Sequence, residues 1–236
     1  MTLADESTSY ADRRAALHDY FDRTAAETWE RLTSDAPVSK IRATVRAGRE
    51  QMGRLLLSWL PEDLTGRRIL DAGCGTGTLS QALAARGADV VAIDIAPKLV
   101  AIANARADDV LDPSAAARID WRSGDMLDPE LGGFDHVVAM DSLIHYRQHD
   151  MADAIARLAE RTGESMVITY APRTRLLAAM HFAGTMFPKS DRSPRIEPVP
   201  PKRIAERLRE RGLEPQRRER VAAGFYISEG LEVIAR

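Results

Sequence analysis

Three glycines spaced two residues apart form the part of this sequence that is best suited to binding a ligand. Gly73, Gly75 and Gly77 follow a short apolar stretch that ends near Asp71, and a helical pattern comes directly after them. Glycine lets the backbone turn sharply and leaves no β-carbon between the chain and a ligand. We therefore expect a ligand to lie directly on main-chain N–H groups of this loop.

The acid in front of the loop indicates what kind of ligand that is. A carboxylate at Asp71 repels a pyrophosphate but pairs well with a cationic amine. S-adenosylmethionine (SAM) carries such an amine and no phosphate. A nicotinamide dinucleotide is the alternative, but its fingerprint is Gly-x-Gly-x-x-Gly, whereas the spacing here is Gly-x-Gly-x-Gly. The sequence therefore favours a methyl donor.

Further cofactor residues fall at the ends of the next predicted strands, where ligands bind in sheets of this kind. Asp94 is placed for two hydrogen bonds to ribose hydroxyls. Asp125 is predicted to accept a hydrogen bond from the adenine amino group, with Ile95 and Met126 on either side of the ring. The complete predicted cofactor set is Asp71, Gly73, Cys74, Gly75, Gly77, Asp94, Ile95, Asp125, Met126 and Met140.

The elements that position these residues alternate between strand and helix. The predicted strands of the alternation cover residues 68–71, 89–94, 118–122, 135–140 and 165–170. The predicted helices between them cover residues 78–86, 97–107 and 151–161. Such repeats imply an α/β fold with a parallel sheet covered on both faces. A helix over 202–211 and two strands near 214–220 and 224–235 are predicted to close the chain.

Two segments lie outside this alternation. Apolar residues recur at helical spacing from 10 to 32 and from 41 to 59, which predicts an N-terminal helical cap over 1–61. After the fifth strand, residues 173–201 form an apolar stretch followed by a proline-rich one. We interpret this as a lid inserted into a core domain over 62–236.

Composition limits the partners and the compartment. With 33 basic and 35 acidic residues the formal charge is −2, so no bulk attraction to nucleic acid follows. A single cysteine permits no internal disulfide, which suits a reducing cytosol. The apolar run over 176–187 is shorter than the ~20 residues that span a bilayer. We expect a cytoplasmic protein with at most peripheral membrane contact, and no protein-bound metal, because histidine and cysteine show no metal-ligand spacing.

Residues 71–77 resemble the first motif of class I SAM-dependent methyltransferases. The segments Tyr20–Arg31, Met140–Tyr146 and 176–195 resemble the magnesium-protoporphyrin O-methyltransferases of bacteriochlorophyll synthesis, and this resemblance covers nearly the whole chain. It implies a Rossmann-like class I fold with a mostly parallel seven-stranded sheet, a helical N-terminal cap and a lid after strand five. It also implies methyl transfer from SAM to a propionate of Mg-protoporphyrin IX, giving the monomethyl ester.

The same resemblance places the family's catalytic tyrosine and histidine on Tyr20 and His145. Read from the residues alone, His145 is equally a packing residue at a helix start, and Tyr20 a half-buried cap residue. The partner implied is the large porphyrin-carrying subunit of magnesium chelatase. Two other functions stay open: a methyltransferase for another small hydrophobic metabolite, and a non-catalytic protein that binds SAM or porphyrin.

The apolar part of the lid, Leu176–Phe187, suits a flat apolar macrocycle and is the expected acceptor site, but it equally suits packing on the cap helices. His181 is either an axial ligand of the porphyrin magnesium or a core or surface residue. The nearby cationic side chains either meet the second propionate or form a solvated face; they are Arg192, Arg195, Lys202 and Arg203.

Overall fold

Seven strands form the sheet at the centre of the fold. The computed structural model describes residues 10–22, 39–173 and 196–234. The strands are β1 Arg68–Ala72, β2 Asp89–Asp94, β3 Ile119–Ser123, β4 Phe134–Ala139, β5 Thr162–Tyr170, β6 Glu214–Ala223 and β7 Tyr226–Ile234. Their order is β3-β2-β1-β4-β5-β7-β6. The first five run parallel, and β7 runs antiparallel between β5 and β6. The predicted mostly parallel seven-stranded sheet is confirmed.

Helices cover both faces of this sheet. They are α1 Tyr10–Tyr20, α2 Lys40–Ser58, α3 Thr78–Ala85, α4 Pro97–Val110, α5 Pro113–Ala116, α6 Gln148–Ala159 and α7 Pro201–Arg209. Successive strand residues point to opposite faces, so neighbours on one strand enter different cores. Ile69 packs in the cluster that contains Met52 of α2 and Leu83 of α3. Leu70 packs in the cluster that contains Ile155 of α6 and Leu208 of α7.

The predictions from sequence place the first residue of one helix and of one strand three positions too late. The α6 helix begins at Gln148 rather than at 151, because its first turn is polar and carries no apolar signal. An acid in that turn, Asp150, suits the positive end of the helix dipole. The β5 strand likewise begins at Thr162 rather than at 165, because Gly163 and Glu164 carry no apolar signal.

The cap and the lid are described only in part. The α1 helix lies within the helix predicted over 10–32, and residues 23–38 lie outside the described residues. The lid prediction over 173–201 falls mostly on residues 174–195, also outside them, together with the expectations for 176–187, His181, Arg192 and Arg195. The described residues on either side of this gap are hydrogen-bonded to each other, since the Val199 N–H donates to the Ala171 carbonyl at 2.9 Å. The division into cap and core stays a prediction.

Over residues 10–22, 39–173 and 196–234, every helix is too short or too polar to cross a bilayer. The same part of the chain contains no group of three His, Cys, Asp or Glu side chains that could hold a metal ion.

Candidate active site

A cavity of about 360 Å³ opens beyond the carboxyl ends of the parallel strands. Its volume lies in the range of ligand sites, roughly 300–1,000 Å³. Of the residues predicted from the sequence, the cavity is lined by Asp71, Gly73, Cys74, Gly75, Asp94, Ile95, Met126, Met140 and His145. The structure therefore brings the ends of β1, β2 and β4 together with the histidine at one concave site.

The glycines of the loop serve conformation and close packing. All three have positive φ angles, 85° at Gly73, 53° at Gly75 and 83° at Gly77, a region that side chains rarely adopt. A β-carbon at Gly73 would lie 2.3 Å from the Ser142 Cβ, and one at Gly77 would lie 2.6 Å from the Trp121 ring. A β-carbon at Gly75 would meet no atom within 4 Å beyond its chain neighbours. That open space on the cavity side suits a ligand lying close to the backbone.

The expectation that a ligand lies on the N–H groups of this loop does not hold at Gly73, Cys74 and Gly75. Those groups are already bonded within the protein. Gly73 and Cys74 donate to the Ile93 carbonyl at 2.8 and 3.0 Å, and Gly75 donates to an Asp94 carboxylate oxygen at 2.9 Å. Because β2 takes up these donors, the loop offers close approach rather than an anion-binding nest. This also argues against a pyrophosphate.

Two carboxyl groups mark the cofactor end of the cavity, Asp71 buried and Asp94 partly buried. Asp71 is 1% exposed, and burial raises its pKa from 3.8 to about 6 although the Ser80 hydroxyl donates to it at 2.6 Å. Burial also raises the pKa of Asp94, although it accepts N–H groups from Gly75 and Ala96, each at 2.9 Å. Buried carboxylates are stabilised by a cation, so this end of the cavity favours a cationic ligand.

Cys74 packs in the same loop without a chemical role of its own. Burial raises the pKa of its thiol well above the ordinary value, so the thiol stays protonated near neutral pH. Because only the thiolate is a strong nucleophile, Cys74 is a packing residue of the loop.

Asp125 has other partners than the predicted adenine. It accepts hydrogen bonds from the Tyr10 hydroxyl at 3.0 Å and the Leu127 N–H at 2.9 Å, and it forms an ion pair with Arg14. It lines a neighbouring pocket with Gly124 and residues of α1, and it is not among the residues that line the first cavity. The role of Asp125 toward adenine stays a prediction, whereas its observed contacts hold α1 against the end of β3.

The helix α1 covers one side of the cavity. Tyr10 stacks on Tyr146 with ring centroids 4.8 Å apart, and Leu17 and Phe21 line the cavity. Phe21 also lies 5.7 Å, centroid to centroid, from the His145 ring. Tyr20 packs edge-on against Phe21 at 5.2 Å and is not among the described lining residues. Of the two predicted catalytic residues, the structure places His145 in the cavity wall. Tyr20 packs against Phe21 and is not among the described lining residues.

A polar cluster at the end of β4 was not anticipated from the sequence. Asp141 has a positive φ of 57°, which is uncommon for a residue other than glycine. Its carboxylate forms an ion pair with Arg49 of α2 and accepts the Tyr226 hydroxyl at 3.1 Å and the Thr169 hydroxyl at 3.2 Å. The cluster therefore joins α2, β5 and β7 at the cavity wall. Strained aspartates of this kind concentrate at functional sites.

Beside this cluster lies Ser142, a residue of the cavity wall with a hydroxyl side chain. The oxygen is buried and has no hydrogen-bond partner in the described part of the chain. An unpaired buried hydroxyl is unfavourable unless a ligand supplies the missing bond. The cavity thus combines an unpaired hydroxyl with the carboxyl groups of Asp71 and Asp94 and open space at Gly75. These features suit a cationic, polar ligand such as SAM.

Comparisons with known proteins agree with this site. A family model described as magnesium-protoporphyrin IX methyltransferase C-terminus matches residues 139–235, and a methyltransferase domain model matches residues 69–163. The magnesium-protoporphyrin O-methyltransferase of Rhodobacter capsulatus is 48% identical over 226 residues, which is 95% of this chain and 98% of the relative. The chloroplastic magnesium protoporphyrin IX methyltransferase of Arabidopsis thaliana is 29% identical over 94% of this chain and 71% of its own.

Solved structures give the same result. Magnesium protoporphyrin IX methyltransferase from Synechocystis PCC 6803 with bound S-adenosylhomocysteine (SAH) superposes with a TM-score of 0.84 at 29% identity, covering 94% of this chain and 100% of that one. The same enzyme with bound SAM gives a TM-score of 0.81 at 27% identity, with 95% and 98% covered.

Proposed function

The chain belongs to the family of magnesium-protoporphyrin O-methyltransferases, and from that premise we propose how its cavity carries out the reaction. The protein is a SAM-dependent carboxyl O-methyltransferase of chlorophyll and bacteriochlorophyll biosynthesis that acts on a propionate of Mg-protoporphyrin IX. The observation that supports our assignment of roles is the division of one cavity into an acidic end at Asp71 and Asp94 and a second end that α2 lines.

The reaction needs alignment more than activation of the nucleophile. A propionate has a pKa of ~4.3, like a Glu side chain, so it is ionised near neutral pH and attacks directly. When bound, SAM supplies an electrophilic methyl group on a cationic sulfur. Opposite charges fade as the new oxygen–carbon bond forms, so a dry site favours the transition state over the separated ions. Alignment of the two reactants can then supply a large part of the rate enhancement.

We assign roles to side chains on this chemical basis. Asp71 holds the amine of the cofactor and Asp94 lies at its ribose, while Ile95 and Met126 contact the adenine. Leu17 and Phe21 exclude water from the side that α1 covers.

Two groups are suited to orienting the reacting carboxylate. His145 and Ser142 line the same wall of the cavity, and the side chain of each can donate a hydrogen bond. A strong ionic partner would instead stabilise the carboxylate before reaction and slow its attack. Neutral donors therefore serve this carboxylate best.

Changing His145 to alanine should lower kcat about 10- to 100-fold, because an orienting hydrogen bond is lost, and should leave the Kd for SAM within about threefold. Tyr20→Phe should lower kcat less than His145→Ala does, since His145 lines the cavity and Tyr20 is not among its described lining residues. Steady-state kinetics with calorimetric SAM titration separates the two effects. Full activity of His145→Ala would reduce that residue to a packing role.

The acceptor is tested with three porphyrins. Mg-protoporphyrin IX should be methylated. Its dimethyl ester, which has no free carboxylate, should not be methylated but should still bind. Metal-free protoporphyrin reports how far the magnesium contributes to recognition. Methylation of the dimethyl ester would show that the accepting atom is not a propionate oxygen and would contradict the proposal.

The cellular setting is also proposed. The substrate is a poorly soluble porphyrin, which supports its direct transfer from the large porphyrin-carrying subunit of magnesium chelatase and a peripheral contact with the membrane. The cap over 1–61 and the lid over 173–201 are the segments we propose for these contacts. Co-sedimentation of the protein with that subunit, with and without Mg-protoporphyrin IX, tests the first of them.

A further inference from the structure

The short turn that carries His145 is held by two segments that lie far from it in sequence. It is a 3₁₀ helix over Leu143–His145, and it contributes the buried histidine to the cavity wall. Buried carbonyl groups at the end of a helix need donors from outside it. The Ile144 carbonyl accepts the Glu197 N–H at 2.8 Å, and the His145 carbonyl accepts the Arg13 guanidinium at 2.8 Å. The position of the turn therefore depends on α1 and on the segment that leads into α7.

Arg13 joins these two segments to each other as well. The same guanidinium nitrogen that donates to the His145 carbonyl also donates to the Glu197 carboxylate at 3.1 Å. The side chain of Arg13 is 13% exposed, so water weakens these charge-assisted bonds little. The helix α1, the segment before α7 and the turn after β4 thus meet at the backbone of His145.

The cap also contacts the ring of this histidine. Leu17, one turn after Arg13 on α1, lines the cavity. Phe21, which follows the last residue of α1, lies 5.7 Å from the His145 ring between centroids. Because residues four positions apart share one side of a helix, Arg13 and Leu17 lie on the same side of α1. The cap therefore contacts His145 twice, at the carbonyl through Arg13 and at the ring through Phe21.

We propose that Arg13 is a positioning residue for methyl transfer, which fixes the direction of the His145 side chain by binding the carbonyl of the same residue. This proposal rests on the orienting role that the proposed function gives to His145. Arg13 is not among the described lining residues of the cavity, so it acts through the histidine rather than on the porphyrin. A displacement of about 1 Å in a group that aligns the reactants can lower a rate about 100-fold.

The test is a double-mutant cycle between Arg13 and His145. Arg13→Met keeps most of the length of the side chain and removes its donors. This change should lower kcat about tenfold in wild type but less than about twofold in His145→Ala, because no histidine is left to position. The Kd for SAM should stay within about threefold in both backgrounds. Arg13→Lys keeps a charged donor and should lose less kcat than Arg13→Met.

Arg14→Met is the matched control. Arg14 is the next residue of α1 and also pairs with a carboxylate, but its partner is Asp125 at the end of β3. Loosening of α1 by itself affects both backgrounds equally, so any loss of kcat in Arg14→Met should be the same with and without the histidine. The positioning role is overturned if Arg13→Met loses no activity in wild type, if its loss persists in His145→Ala, or if Arg14→Met shows the same dependence on His145.

A measurement without turnover keeps this role separate from the reaction. In nuclear magnetic resonance of protein with isotope-labelled histidine and bound SAH, the ring signals of His145 are those that His145→Ala lacks. Arg13→Met should shift or broaden these signals more than Arg14→Met does, and unshifted signals would overturn the proposal. If wild type does not methylate Mg-protoporphyrin IX, the proposed function fails, whereas this comparison still decides whether Arg13 positions the ring. Calorimetric SAM titration shows whether Arg13→Met is folded; if it is not, Arg13→Lys is measured in both backgrounds by the same criteria.

Discussion

Replacing Asp71 by asparagine should weaken SAM binding about 30- to 150-fold and, in the same protein, raise the thermal stability of the cofactor-free form. The carboxylate is fully buried, and we propose that it holds the cofactor's amine. Losing one charge-assisted contact of this kind costs about 2–3 kcal/mol. Calorimetric titration with SAM and with SAH measures the loss of affinity.

The gain in stability follows from the raised pKa of Asp71. Burial raises that pKa from 3.8 to about 6, so the folded protein disfavours the ionised form. The resulting penalty is absent below about pH 4, grows as the pH rises to about 6, and stays constant above it. Moving the pKa over that interval corresponds to roughly 3 kcal/mol. Asparagine keeps the shape and carries no charge, so the variant should melt higher than wild type at neutral pH and similarly near pH 4.

The same titration makes SAM affinity depend on pH. Below about pH 6 the Asp71 carboxyl of the free protein is protonated, and a neutral acid cannot pair with the amine. The wild-type Kd should therefore rise as the pH falls through 6, and the Asn variant should show a flatter profile. Asp89→Asn, at an exposed acid on the same sheet, is the control for both measurements. Unaltered SAM affinity in Asp71→Asn would remove this residue from the cofactor site.

Replacing Asp141 by alanine should destabilise the fold by about 3 kcal/mol and lower the melting temperature by roughly 6–12 °C. The change removes the carboxylate that pairs with Arg49 and accepts the Tyr226 and Thr169 hydroxyls. It also forces alanine to a φ of 57°, which β-carbon sterics disfavour by about 1–2 kcal/mol. Thermal unfolding with and without SAH measures the loss.

Two further variants separate the causes. Asp141→Asn keeps an acceptor and tolerates a positive φ, so it removes the charge alone and should lose less stability than alanine does. Asp120→Ala is the matched control, because it also deprives an arginine, Arg122, of its carboxylate, but at an exposed site. An exposed pair contributes only about 0–1 kcal/mol. Equal losses for Asp120→Ala and Asp141→Ala would contradict a structural role for the cluster.

The cofactor end of the site was accessible to sequence reasoning because its residues follow one another along the chain. The glycine loop, Asp71 and Asp94 fall at the ends of predicted strands, and strand ends of a parallel sheet meet at one edge. The acceptors of the loop N–H groups could not be predicted from the sequence. Those groups bond to Ile93 and Asp94, one strand away, and only the register of β1 and β2 decides this.

The polar cluster at the end of β4 was missed for a different reason. Charged residues at helical spacing on α2 look like an ordinary solvated face, and nothing near Arg49 in sequence indicates that its partner is Asp141. The positive φ of Asp141 is equally invisible, because aspartate is not the residue that usually signals it. The Ser142 and His145 segment was recognised through family resemblance, not through physics. Long-range contacts that bring α2 to the end of β4 can be read only from the folded chain.

The central claim is that this one cavity transfers a methyl group from SAM to a propionate oxygen of Mg-protoporphyrin IX. The most direct measurement follows a tritiated methyl group from SAM into the porphyrin in a single-turnover mixture of wild-type protein. We predict one label per porphyrin, held as an ester that alkali releases, and none with Asp71→Asn at the same low SAM concentration. Label that is absent from the porphyrin, or that resists alkali, would contradict the claim.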